Sequence, residues 1–195
     1  MRQIFEEDLD RVSEIHMSAF SDSALTKLGQ EATRRSYEWQ FTGPHPHVVA
    51  IGCEFNGTLS GFCFGGRFQG AMIGFLRHNW SFLIWCVLSH PWLLLDKTVR
   101  AQGRFGLEYL LTKRLPQKRT LGSTNKRADK KVFSSDVLSF GILSIAVHPD
   151  YQGLGLGKAL MMEAERIATQ DGFHLMRLTV NLENSHTIRF YESQG

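Results

Sequence analysis

Residues 145–158 read Ile-Ala-Val-His-Pro-Asp-Tyr-Gln-Gly-Leu-Gly-Leu-Gly-Lys, and no other stretch of the chain narrows its fold as much. An apolar strand, Ile142 to Val147, runs into a tight turn at His148-Pro149-Asp150. Glycines at alternate positions follow (Gly153, Gly155, Gly157), and an amphipathic helix starts at once. A strand feeding a glycine-rich helix start leaves backbone N–H groups pointing outward without acceptors. The helix dipole adds partial positive charge, and glycine lets a ligand come close to the backbone. The place therefore suits a phosphate or pyrophosphate.

Spacing decides which phosphate ligand. A P-loop needs Gly, four residues, then Gly-Lys-Ser/Thr. Here Gln152 stands where the first glycine belongs, and Ala159 stands where a hydroxyl should hold magnesium. The dinucleotide pattern G-x-G-x-x-G fits Gly153 and Gly155 but meets Lys158 at its third position. No acid ends a strand about 20 residues on, where that fold would bind a ribose; Leu178-Thr179-Val180 lies there instead. What fits is Gln-x-x-Gly-x-Gly, from Gln152 through Gly155 to Gly157. That resembles the acyl-CoA pyrophosphate loop of the GNAT acyltransferase superfamily.

The resemblance extends downstream. Leu156, Ala159, Leu160, Ala164, Ile167 and Ala168 recur at helical spacing, and the helix is expected to stop at Asp171-Gly172. A strand from His174 to Val180 comes next. Then Asn184-Ser-His-Thr-Ile-Arg-Phe-Tyr191-Glu-Ser-Gln-Gly195 is similar to the family's Asn-x-x-Ala-x-x-x-Tyr-x-x-x-Gly helix, with Thr187 in place of alanine. Loop, helix, strand and second motif follow in the family's order. The match covers Leu138–Gly195, with weaker support from residues 2–65.

The resemblance implies an α/β (α+β) fold: a mixed, mostly antiparallel central sheet flanked by helices. It also implies acetyl-CoA as co-substrate, no metal, and direct attack of an acceptor amine on the thioester within a ternary complex. Ile145, Ala146 and Val147 would line the acyl-CoA, with a backbone N–H near Ala146–Val147 facing the thioester oxygen. Gln152, Gly153, Leu154, Gly155, Leu156, Gly157 and Lys158 would hold the pyrophosphate. Asn184 would orient the pantetheine arm, although helix capping explains it equally well. Tyr191 matches the family's acid for the leaving thiolate, set against a core aromatic on the last helix. The family often places a carboxylate base near the central strands, but Leu138–Val147 contains none. Glu54 and Asp136, at strand ends, are the candidates beside water.

Composition agrees with a single domain spanning residues 1–195: 43% of the residues are hydrophobic, enough for a sizeable core. Met1–Phe20 is acidic and lacks the basic-then-apolar order of a secretory leader. Cys53, Cys63 and Cys86 lack metal spacing, which fits a reducing cytoplasm. Cys53 and Cys63 read as buried strand residues. Helices are expected over Asp8–Phe20 and Ser23–Trp39, and a hairpin, Val48–Phe55 with Thr58–Gly65, around Asn56-Gly57. His45 and His47 form a His-x-His pair without further ligands at familiar spacing. A proline-stiffened loop is the simpler reading. Arg2–Phe5 leaves little room for a first strand, and the family's last two strands are expected to be absent after Gly195.

Residues 66–137 depart from the family as a helical, then basic, insertion between the third and fourth strands. Its first part is apolar and aromatic, with two or three short helices broken at Pro91. Its second part, Lys97 to Lys131, holds eleven Lys/Arg against Glu108 and Asp129. That local charge of +9, within an overall +3, leaves −6 for the rest of the chain. The insertion has three readings: an acceptor-side lid, a peripheral contact of residues 66–131 with an anionic membrane at the inner face, or a nucleic-acid contact. The last is disfavoured because the denser part of the basic run, Lys113 to Lys131, lacks interleaved aromatics. The uncharged run Asn79–Leu95 is short for a span of about 20 residues. The expected partners are a small-molecule or peptide amine acceptor and a second copy of the chain. Some bacterial members with an aromatic and basic insertion ahead of the loop resemble this chain and are associated with surface polysaccharide synthesis. The alternatives to an amine acetyltransferase of open substrate are therefore an aminosugar or polysaccharide-precursor acetyltransferase at the membrane surface and a non-catalytic acyl-CoA-binding or sensor domain.

Overall fold

Asn56 and Gly57 both take positive φ, 52° and 76°, so the chain reverses through a turn whose twist matches its flanking strands. The expected hairpin is present as β2 (His47–Phe55) and β3 (Thr58–Arg67), paired from Phe55↔Thr58 to His47↔Arg67. The computed structural model describes residues 1–68, 71–100 and 139–179. Within it the chain forms two units. One comprises Met1–Phe5, Pro46–Phe68 and the residues from Leu138 on. The other comprises Glu6–His45 and Gln69–Val137.

The first unit is a five-stranded sheet in the order β1-β2-β3-β4-β5. Arg2 and Gln3 do form a strand, β1, two residues long and antiparallel to β2 at Gly52 and Ile51. β4 (Ser139–Val147) lies antiparallel to β3, and β5 (Leu175–Arg177) parallel to β4. β5 is shorter than the sequence suggests, and Val180 lies outside the described residues. The sheet is thus mixed and mostly antiparallel, as expected.

The helix that follows the glycines spans Leu156–Gln170 and ends at Asp171-Gly172, with Gly172 left-handed at φ 79°. It buries Leu160, Met161, Ala164 and Ala168. Leu160 and Ala164 meet Ile51, Cys53 and Cys63, with Val49, Ile142, Ile145 and Val147 packed around them. Leu160 is fully buried, so Leu160→Ala should cost about 2–5 kcal/mol. A urea titration should show this as a lower midpoint with an unchanged slope. Cys53 and Cys63 are buried as expected, and burial pushes the Cys63 thiol up to about 12.

In the second unit the residues from Asp8 to Phe20 form α1 (Leu9–Ala19), burying Leu9, Val12 and Ile15. The helix expected over Ser23–Trp39 is two, α2 (Ala24–Leu28) and α3 (Gln30–Thr42). Gly29 separates them at φ 98°, a conformation outside the helical range. His16 on α1 is buried between them: its Nδ1 lies 2.8 Å from the Tyr37 hydroxyl and its Nε2 3.0 Å from Ser23 Oγ. The apolar part of the insertion forms α4 (Ala71–His78), α5 (Trp80–Ser89) and a 3-10 turn (Pro91–Leu95). The glycine-loop helix, Leu156–Gln170, is α6. The basic run from Lys97 is described only to Arg100.

Candidate active site

β4 is the element on which the site is built, and it carries a phase slip. Gly65 pairs with Ile142 but the preceding Phe64 pairs with Ser144, so Leu143 is an extra residue in the ladder. On an uninterrupted strand Ile142 and Ile145 would face opposite sides. The bulge brings both, with Val147, onto the face that packs against α6. The β5 ladder stops at Gly141↔Arg177, at the bulge, whereas β4 continues to Val147. The outer edge of Ile145–Val147 therefore has no strand partner among the described residues.

The chain then enters the loop under control. His148 N–H donates to the Ser60 carbonyl at 2.9 Å, fixing the loop's start to β3. Pro149–Tyr151 make a 3-10 turn in which His148 Nδ1 accepts from the Asp150 N–H at 3.3 Å. Tyr151 packs its ring 5.6 Å from that of Phe55. The Gln152 side-chain amide donates back to the Val147 carbonyl at 3.0 Å, clasping the loop to the strand end.

Past that clasp the backbone turns outward. Gly153 and Gly155 are left-handed, at φ 79° and 77°, and a β-carbon at either would meet open space. Glycine is needed there for backbone conformation rather than for room. The first helical bond of α6 is Ala159 N–H to Gly155 C=O. The N–H groups from Gly153 to Lys158 have no acceptor among the described residues. Gln152 to Gly155 and Lys158 are exposed, so these donors form an accessible, electropositive patch at the N-terminus of a 15-residue helix. Its chemistry is that of a diphosphate seat.

The structure brings together Ile145, Ala146, Val147, Gln152, Gly153, Leu154, Gly155, Leu156, Gly157 and Lys158 at one end of the sheet. Glu54 lies at the same end, next to last in β2, where its carboxylate accepts from Arg2 Nε at 2.6 Å. Tyr191, Asn184 and Asp136 lie outside the described residues. The His-x-His pair gathers no metal set: no group of three His, Cys, Asp or Glu side chains could hold an ion among the described residues. His47 Nε2 instead lies 3.0 Å from Asp171 Oδ2. A cavity of about 330 Å³ lies elsewhere, with Met1, Gln3, Val49, Glu163 and Ile167 in its wall and no loop residue. The three thiols are buried, and burial raises the pKa of each, so none is poised as a nucleophile.

Sequence reasoning missed the bulge and the Gln152 clasp. The first left a trace: Phe140, Ile142, Ile145 and Val147 step by two, three and two, a break in strict alternation.

No curated protein sequence matches the chain. Among solved structures, the aminoglycoside N-acetyltransferase AAC(6')-Iy in complex with CoA superposes with a TM-score of 0.55 at 12% identity, covering 100% of this chain and 84% of that one. The PaiA N-acetyltransferase from Thermoplasma acidophilum in complex with coenzyme A gives 0.53 at 15%, covering 100% and 86%. A transcriptional regulator from Bacillus halodurans gives 0.52 at 16%, covering 100% and 89%. At such identities the likeness is one of fold. Residues 133–195 match the sequence model of the acetyltransferase (GNAT) family. The chain thus has the GNAT acetyltransferase fold, and the family's own sequence signature falls on the segment that carries the glycine loop.

Proposed function

We propose that this chain transfers the acetyl group of acetyl-CoA to an amine. One observation carries the reading. The open edge of β4 at Ile145–Val147 leads directly into the unpaired N–H groups of Gly153–Lys158. Pantetheine is an extended chain with two amides, and it can lie along such an edge as an added strand would. The pyrophosphate then falls on the α6 N-terminus. Lys158, exposed beside those donors, adds positive charge. The proteins of this fold crystallised with CoA support the same ligand.

The amine lone pair attacks the thioester carbonyl, the C–S bond breaks, and the nitrogen loses a proton. A β4 backbone N–H near Ala146–Val147 would stabilise the oxyanion. Tyr191, matched to the family's acid, would protonate the departing thiolate. The amine's proton goes to water or to Glu54, which must first leave Arg2. Tyr191→Phe should lower kcat about tenfold to a hundredfold and leave the acetyl-CoA KM within about twofold. The assay is thiol release with a panel of small amines, aminosugars and peptide N-termini. An unchanged kcat removes the tyrosine from the mechanism.

A second reading, an acyl-CoA-binding domain without transfer, draws on the absence of a carboxylate from β4 and the engagement of Glu54 by Arg2. CoA binding by calorimetry with no thiol release from any amine would select it. The buried free thiols fit a cytoplasmic protein in either case.

A further inference from the structure

α5 carries no charged residue, and its only polar ones are Ser81 and Ser89 at its two ends. Its inner side, Phe82, Leu83, Cys86 and Val87, is at least partly buried, and the Arg35 guanidinium sits 4.2 Å above the Phe82 ring. Its outer side carries Trp80, Ile84, Trp85 and Leu88, at i, i+4, i+5 and i+8, and all four are exposed, Leu88 at 74%. The 3-10 turn that follows adds Trp92, Leu94 and Leu95, the last 77% exposed. A helix that is apolar all round normally lies in a core or in lipid, and a soluble surface rarely shows so large an apolar patch without a partner for it.

The charge around the patch is predominantly cationic, Glu31 on α3 being paired with Arg35 at 2.6 Å. No Asp or Glu occurs between Glu54 and Asp96. Asp96 itself is engaged: its carboxylate accepts from Lys27 Nζ at 2.8 Å and from the N–H groups of Thr98 and Val99. Those bonds hold its pKa below the ordinary carboxylate value. Arg77, Lys97 and Arg100 are exposed, and the sequence from Lys97 to Lys131 adds its net +9.

We infer that the outer face of α5 and the Pro91–Leu95 turn dock on an anionic lipid bilayer and lie within its interface. Tryptophans suit the headgroup level, the aliphatic side chains the acyl boundary, and the cationic flank the anionic headgroups. α5 alone is too short to span: ten residues make about 15 Å of helix against a hydrocarbon core of about 30 Å, and α4 with α5 reaches the length and composition of a span only as a bent pair. No single described helix is long and apolar enough to cross, and α4 meets α5 at a 72° bend. A second copy is the weaker occupant, because a two-fold contact would oppose two cationic flanks.

Tryptophan fluorescence reads this face directly. Three of the four tryptophans lie on it, and Trp39 packs instead against His45 and His78. The probe is phosphatidylcholine vesicles with about 30 mol% phosphatidylglycerol, at about 0.1 M salt and without acetyl-CoA. The protein should co-sediment with them at least about tenfold more tightly than with pure phosphatidylcholine, with its emission moving to the blue. Trp85→Ser combined with Leu88→Ser and Leu95→Ser should weaken binding about tenfold or more and leave the melting temperature unchanged, since all three side chains are exposed. No binding to anionic vesicles, or binding indifferent to the substitutions, overturns the inference. So does vesicle-free dimerisation abolished by the same variant, which would assign the face to a second copy. Thiol release is measured separately, so acetyl transfer without vesicle binding defeats this inference alone.

Discussion

A Gly155→Val variant should bind acetyl-CoA about tenfold to a hundredfold more weakly than the natural chain while keeping its fold. Gly155 sits at φ 77° as the residue before α6, and a β-branched side chain there is strained by about 1–3 kcal/mol. Nothing lies within 4 Å of the added β-carbon, so the strain is released by moving the loop, not by disturbing the core. Moving the loop disperses the N–H groups that the proposed function assigns to the diphosphate. Calorimetric titration with CoA gives the affinity, and a melting curve gives the fold. An unchanged Kd for CoA would mean that the diphosphate sits elsewhere.

The second large effect concerns acid stability. Burial lowers the pKa of His16 from 6.5 to about 4. Its hydrogen bonds agree with a neutral ring. Ser23 Oγ donates to Thr26 Oγ1, so it accepts from His16 Nε2–H, and Nδ1 is left to accept from Tyr37. In the unfolded chain the imidazole protonates near 6.5; in the folded chain it resists until about 4. Between those values the unfolded state holds more protons. Stability is therefore complete above about 6.5 and falls as pH drops toward 4. At about 1.4 kcal/mol per pKa unit, the loss is about 2–4 kcal/mol. Asp96 and Glu163, whose pKa values are depressed by Lys27 and Arg166, add their own losses as pH falls through the ordinary carboxylate range and below, overlapping the acid end of this window. Urea midpoints at several pH values should trace this slope, and His16→Gln should flatten it. A slope that survives the substitution would place the proton elsewhere.

What the sequence made legible follows from how local each signal is. Asn56-Gly57 announces a hairpin because the turn's dihedrals admit few other residues. The helix after Gly155 announces itself because Leu156, Leu160, Ala164 and Ile167 share one stripe. Both signals are complete within a dozen residues. The break at Gly29 was less visible, because a lone glycine inside a helical pattern is often tolerated. The β1 strand was harder still. Two residues gain their identity only from Ile51 and Gly52, some fifty positions away. The donor half of the site was legible for the same reason as the hairpin: its donors are backbone groups placed by glycine spacing. Glu54 shows the limit. A carboxylate at a strand end reads as a possible base, and only the fold reveals Arg2 beside it. The exposure of α5 was hidden too, since an apolar run such as Trp80–Leu88 reads alike for a packed lid and a membrane contact until its burial is known.

The extra residue at Leu143 makes β4 behave like a reading frame. Before it the strand is set by β5 and β3; after it the side chains have changed sides, so that Ile145 and Val147 face α6 while the backbone edge of residues 145–147 is open among the described residues. Leu143 itself is exposed and fills no part of the core. Its identity is therefore nearly free, but its presence is not. Losing one residue here would be a frameshift in space: it would turn Ile145 and Val147 out of the core while sparing every motif downstream. The site is specified at this point by a count of residues rather than by any side chain.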